Sequence, residues 1–450
     1  MTQPLQAASG NPTACILGNV IDPVVLLQEL IRFPTENPPG NVRDCIGFIH
    51  DVLSALGIAS KIYARYPLRP NLVARLPGRG IAPPLLLTGH ADVVPADGQS
   101  WTVQPFSGLI KDGFVWGRGA LDMKGGLAMM LSAFVAAKNS PPPGDVIFCV
   151  VSDEETGGQD GAGFLVDNHP ELFAGVKHAL GEFGAFSFDL FGRRFMPIQV
   201  DERQFVGITA HISEAGGHAA LSGTANAAVS AAQFVRGVSR LALPVVLTTA
   251  TKRMLRTMAL SVPPLASAAL LLLSISGTAP LILRILGPRA AALASCMRSA
   301  VTPTVIRCGM KRNVVPSSAM IDMDARLVPG DSIENLLERL KKIAPEGTSF
   351  TVQAQHRQKD AIDMSQFDKL DALLRDEYPG SVPVPMLLPG TTDARHFNRL
   401  DIQTYGFLPI SMPKGMAYMN LIHGADERIP VEALSTGARL ISKYVSGYRG

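Results

Sequence analysis

Residues 85–92 read LLLTGHAD, residues 146–155 read VIFCVVSDEE and residues 178–182 read HALGE. Each is a short apolar run that stops at acidic or imidazole side chains. Such runs, like Asn71–Leu76 before them, predict buried strands. The helical spacing of LAMMLSAFVAAK (Leu127–Lys138) supplies the crossover that parallel neighbours require. This alternation predicts an α/β fold with a mainly parallel sheet sandwiched by helices. In such sheets ligands gather beyond the carboxyl ends of the strands, so His90, Asp92, Glu154, Glu155 and Glu182 are the first candidates for a site.

Past Glu182 the pattern changes. FVGITAHI reads as strand, NAAVSAAQFVRGVSR as helix, TPTVIRCG and SAMIDMDARLV as strands, SIENLLERLKKIA as helix and TSFTVQA as strand. That β-α-β-β-α-β order predicts a small α+β domain. FDKLDALLRDEY (helix), IQTYGFL (strand) and VEALSTGARLISKYV (helix) then resume the first pattern. Residues 204–356 are therefore expected as a domain inserted into another made of 1–203 and 357–450. A length of 450 residues agrees with two cores.

A content of 47% hydrophobic and 18% charged residues suits large cores and excludes disorder. The net charge of +3 comes from interspersed cations without a basic block, so nothing favours nucleic acid as a partner. Cys15, Cys45, Cys149, Cys296 and Cys308 are odd in number and widely spaced, which predicts reduced thiols. The first twenty residues show neither a basic start nor an apolar core of a secretory signal, and a cytoplasmic location is expected. Thr257–Leu283 is uncharged and long enough to span a bilayer. Pro263, Pro264 and Pro280 interrupt it, so Leu265–Ser276 is expected as a buried helix flanked by turns, and membrane contact is not expected.

A centre for two divalent cations needs imidazoles, carboxylates and a carboxylate shared between the ions. The chain offers His90, Asp122 in GRGALDMKGG, Glu155, Glu182 in LGEFG and His423 in IHGADERIP. Each has an ordinary alternative: Asp122 suits a helix N-cap, the Glu154–Glu155 pair a solvated turn, and His90-x-Asp92 a structural contact. Asp92 is placed to receive the second N–H of the His90 ring. Glu154 and Glu155 are neighbours pointing different ways, so one suits a metal and the other a proton.

In order and context these residues resemble the zinc peptidases that include aminoacylase, glutamate carboxypeptidase, succinyl-diaminopimelate desuccinylase and vacuolar carboxypeptidase S. The resemblance rests on GHADVVPADGQSWTVQPFSGLIKDGFVWGRGALDMKGG, VSDEETGG, GGHAA, NVVP with DARLVPGDS, TTDARHF and HGADERIPVE, and runs from about Leu27 to Val445. It implies a zinc-exopeptidase type of sheet with an inserted lid or dimerisation domain, and a homodimer through that domain. It also implies two Zn2+ per subunit, with Co2+ or Mn2+ as substitutes. Asp122 would bridge them, His90 and Glu182 would bind one, and Glu155 and His423 the other. Glu154 falls at the general base and His218 at the oxyanion donor. Asn313, Arg326 and Thr392 fall at positions that hold the substrate, whose free carboxylate suits the forked donors of arginine.

The implied reaction is hydrolysis of the amide bond of N-acyl amino acids or of small peptides with a free carboxylate. A carboxypeptidase or dipeptidase is the alternative, and a non-catalytic zinc-binding relative the remote one. The chain is most similar to the branch of carboxypeptidase S and the N-fatty-acyl amino acid hydrolases, which also carries a long segment in the inserted domain. Here that segment, about 243–302, is strongly apolar. It is read either as a roof over the acyl side of the cleft or as packing.

Overall fold

The computed structural model describes residues 11–220, 226–354 and 362–450. The start of the chain, used above for its location, and the 356/357 domain boundary lie partly or wholly outside the described residues. Those residues form two compact units, one of 11–200, 362–385 and 392–450, the other of 201–354 with 386–391. Residues 386–391 join the second unit through Arg203, whose amide donates to the Leu388 carbonyl and whose Nε donates to the Pro389 carbonyl at 2.7 Å.

In the first unit, strands Leu85–His90, Val146–Val151, His178–Gly181 and Gln403–Gly406 pair in parallel. The sheet is extended by antiparallel strands: Pro70–Leu76 and Ser60–Ala64 beyond Val146–Val151, and Arg193–Glu202 beyond Gln403–Gly406. Pro70–Leu76 is antiparallel because a connection of residues 65–69 is too short for a crossover and closes a hairpin instead. Every residue of Leu85–His90 and Val146–Val151 is buried, as expected for strands covered on both faces.

Helix Lys124–Asn139 is buried along nearly its whole length. It packs against Val431–Gly447 at Gly437, where a Cβ would fall 2.3 Å from Met129 Sδ. Helix Pro23–Ile31 starts with Pro23 behind Asp22, whose carboxylate accepts the amides of Val24 and Val25.

The second unit is a four-stranded antiparallel sheet in the order Ala300–Cys308, Ser318–Leu327, Gln204–Ser213, Ser349–Ala354. Helices Ala227–Ser239 and Ile333–Lys341 supply Phe234, Val238, Leu336 and Leu340 to a core with Val206, Ile208, Ile321 and Met323. Asn226 and Ser332 cap the two helices. Strand alternation on Ser318–Leu327 places every second residue in this core.

The apolar segment departs from expectation. It forms helices Thr249–Ala259, Pro264–Leu273 and Ala279–Leu286, so the second flank is a helix with Pro280 in its first turn. The middle helix is not buried: only Leu270 and Leu273 are, while Leu265 is 87% exposed. Composition predicts a helix here but does not dictate which surface receives it. Among the described residues no helix is long and apolar enough to cross a membrane.

Glycine at 161 closes the loop that follows Val146–Val151. A Cβ there would lie 1.8 Å from the Ser152 carbonyl oxygen, a backbone atom with no rotamer to yield. Gly161→Ala is expected to cost about 1–3 kcal/mol, read as a lower urea midpoint with unchanged slope.

Candidate metal centre

Four of the residues singled out above meet at the carboxyl ends of the parallel strands. His90 closes Leu85–His90, Glu182 follows His178–Gly181, and Glu154 and Glu155 open a single 3-10 turn after Val146–Val151. That turn depends on Asp153, which takes a left-handed conformation (φ 72°), one that Asp tolerates better than most residues. Arg69 pairs with the Asp153 and Asp160 carboxylates, each at 2.8 Å, and fixes the turn from behind.

Asp122 precedes helix Lys124–Asn139, but the cap position is Met123 and no side chain caps the helix. The carboxylate is thus left for other partners. Its Oδ1 lies 3.2 Å from His90 Nε2 and its Oδ2 lies 3.2 Å from His423 Nε2. His90 Nε2 is also 3.1 Å from Glu182 Oε2, and His423 Nε2 is 3.4 Å from Glu155 Oε2. Asp122 therefore faces two imidazole–carboxylate pairs, one with each oxygen. His423 sits half-exposed at positive φ, and its carbonyl accepts from Gln99.

Four carboxylates, Asp122, Glu154, Glu155 and Glu182, crowd around two imidazoles. The His90 imidazolium is disfavoured by burial, yet the Glu182 charge and bonds to Asp122, Asp92 and Glu182 hold it well above its ordinary range. Contacts with Asp122 and Glu155 push His423 up to about 10. Burial, then the Glu182 charge, pushes the Glu154 carboxyl well up, and burial raises Glu155 and Glu182 as well. Such concentrated negative charge is what divalent cations neutralise.

The donors fit that role. Ligand atoms of His90, Asp122 and Glu155 lie within 4.8 Å of one another, as do those of His90, Glu154 and Glu182. Spacings of 3.1–3.4 Å match the edge, about 3.3 Å, of a tetrahedron with bonds of 2.0–2.1 Å. Glu155 Oε1 is buried without a hydrogen-bond partner. Mixed imidazole and carboxylate donors suit zinc, cobalt or manganese.

Asp92 is fully buried behind this cluster, but its main bonds differ from those expected. The second ring nitrogen of His90, Nδ1, is 2.8 Å from the Asp92 carbonyl oxygen and 3.6 Å from its carboxylate. The carboxylate instead accepts the amides of Glu154 and Glu155, each at 3.2 Å, and Asn37 Nδ2 at 2.8 Å. One residue thus holds both the imidazole and the acidic turn.

Other supports were not identified from the sequence. Glu427 is fully buried; its Oε1 accepts the amides of Leu121 and Asp122, and its Oε2 the Gly119 amide and Arg118 Nη1. It fixes the loop that carries Asp122. Its place four residues after His423 in HGADE is the one sequence cue. Glu427→Ala is expected to destabilise the fold by about 3 kcal/mol, since three buried amides and a buried guanidinium lose an acceptor; chemical denaturation reads the loss. Asp393, beside Thr392, has both carboxylate oxygens buried with no hydrogen-bond partner among the described residues, Oδ1 lying 3.9 Å from His396 Nε2, and burial pushes it up to about 8.

Thr392 is buried and its Oγ1 accepts the Ala394 amide. In the second unit, His218 pairs with Val314 across a short antiparallel ladder, and the Ala219 amide donates to the Asn313 carbonyl, so His218 and Asn313 are neighbours. Arg326 forms a two-pronged pair with Asp324 (2.8 and 3.0 Å) and donates to Thr391.

A strand-end cluster of two imidazoles and four carboxylates on a mainly parallel α/β sheet defines a metal-dependent hydrolase. Residues 86–447 match peptidase family M20/M25/M40, and the chain belongs to that family. It is a hydrolase acting on amide bonds. It is 24% identical over 378 residues to "Probable carboxypeptidase S-like 2" of Dictyostelium discoideum, covering 78% of this chain and 68% of that protein. It is 27% identical over 382 residues to a human N-fatty-acyl-amino acid synthase/hydrolase, covering 80% and 73%. The crystal structure of a metallo-carboxypeptidase of the same family from Sulfolobus solfataricus shares the fold, with a TM-score of 0.69 at 16% identity, covering 94% of this chain and 98% of that one.

Proposed function

We propose that the chain hydrolyses the amide bond of N-acyl amino acids bearing a free carboxylate, with a pair of divalent cations, Zn2+ by preference. The observation that carries this reading is Asp122 facing His90 and His423 through its two oxygens. His90 and Glu182 would hold one ion, Glu155 and His423 the other. Bound there, the pair supplies Lewis-acid polarisation of the scissile carbonyl and makes an attacking water acidic near neutral pH.

Glu154 makes no ligand contact in this assignment. Its carboxylate takes the proton of the attacking water and returns it to the nitrogen of the departing amine. Asp92 orients His90 and the Glu154–Glu155 turn together. His218 donates to the developing oxyanion, and Asn313, Arg326 and Thr392 receive the substrate, with Arg326 exchanging Asp324 for the substrate carboxylate. The inserted unit serves as lid and as the dimer contact.

The human relative's name supports an N-acyl amino acid as substrate, and that of the Dictyostelium relative supports a second reading, a carboxypeptidase on short peptides. A panel of N-acetyl and long-chain N-acyl amino acids with dipeptides, assayed with zinc, separates the two. The expected result is faster turnover of N-acyl amino acids; turnover of dipeptides alone would establish the second reading.

A further inference from the structure

Between Leu241 and Ala300 the charged residues are Lys252, Arg253, Arg256, Arg284, Arg289 and Arg298, and none is acidic. Elsewhere the chain carries 35 Lys and Arg against 38 Asp and Glu, so this segment reverses the charge of the rest. Its helices also turn an unusual face outward. On Pro264–Leu273 the exposed positions are Pro264, Leu265, Ala268, Leu271 and Leu272, which share one side at helical spacing and include no polar group. Ile275 continues that side, and on Ala279–Leu286 the exposed Leu281 and Ile285 flank Arg284.

Helix Thr249–Ala259 packs against Pro264–Leu273. Its outer side carries Thr249, Lys252, Arg253, Arg256 and Thr257, which with Leu260 line a cleft of about 310 Å³. Leu260, at the rim, is 88% exposed. A cationic cleft beside a leucine face is the combination that engages lipid headgroups and the acyl boundary at once.

We propose that these three helices form a docking surface for an anionic phospholipid bilayer, with Lys252, Arg253 and Arg256 on the headgroups and Leu260, Leu265 and Leu272 at the acyl boundary. The helices lie on the bilayer and do not cross it. Pairing with a second copy through the same face is disfavoured, because a two-fold contact would set cations against cations with no acidic residue in the segment to compensate.

The test is co-sedimentation of the full chain with phosphatidylcholine vesicles, with and without phosphatidylserine. The wild-type chain is expected to sediment with the phosphatidylserine vesicles and to be released by salt. Lys252→Glu with Arg256→Glu should lower the bound fraction at least about tenfold, and Leu265→Ser with Leu272→Ser should leave a weaker, more salt-sensitive association. Arg256, Leu265 and Leu272 are exposed and Lys252 is half-buried in the cleft, and thermal melts followed by circular dichroism confirm that each variant is folded. Failure of the wild-type chain to sediment, equal binding to neutral vesicles, or binding untouched by either pair of substitutions overturns the proposal. So does a dimer that Leu265→Ser with Leu272→Ser dissociates in a chain that never binds vesicles.

Discussion

Glu154→Gln is expected to lower kcat by about 10²–10⁴-fold while the metal content of the purified protein stays that of the wild type. The substitution keeps the shape of the side chain and removes its ability to accept a proton. Glu154 and Glu155 share one turn, and Asp92 accepts both of their amides. Glu155 Oε2 lies 3.4 Å from His423 Nε2, which places it in the proposed ligand set, while Glu154, also within reach of His90 and Glu182, is the one assigned to the proton. Glu155→Gln should therefore lose metal first and activity as a consequence. Kinetics and metal analysis on the same preparations distinguish the two; metal loss in Glu154→Gln with retention in Glu155→Gln would exchange the roles of the pair.

The second large effect is at Asp122. Asp122→Ala removes the carboxylate that, among the described residues, reaches both imidazoles, so both ions should be lost together rather than one at a time. The loss of Lewis-acid and water activation amounts to about 5 kcal/mol of transition-state stabilisation, or roughly 10⁴-fold in kcat/KM. Stability separates this from misfolding. Zinc at 1,000 times its Kd should stabilise the wild-type fold by about 4 kcal/mol and raise its Tm, while the Asp122→Ala variant should show the same Tm with and without zinc. An unaltered zinc response in the variant would place the ions elsewhere.

Much of this centre was legible because a parallel sheet puts its ligands at strand ends. His90, Glu154, Glu155 and Glu182 each follow an apolar run, and that position, more than residue type, marked them out. Asp122 and His423 lie on loops and gained their meaning from the motif around them. The long-range supports were not legible: Asn37, Arg69 and Glu427 reach their partners across 55, 84 and about 300 residues, and no local pattern records such contacts. The strand Val382–Leu388 escaped notice because Pro383 and Pro385 argue against a strand. It is tolerated since among the described residues it pairs with one neighbour, Arg193–Glu202, leaving an edge that needs no amide donors. Leu265–Ser276 reads as a buried helix because burial is the usual fate of leucine. The structure instead turns Leu265, Leu271 and Leu272 outward.

Asp122 is proposed to join two metal positions, and the direct measurement is stepwise zinc titration of the chelator-treated chain, with bound metal and hydrolysis of an N-acyl amino acid followed together. Two equivalents should bind, with full activity reached only at the second. Saturation of activity at one equivalent, or activity that persists without metal, would contradict it.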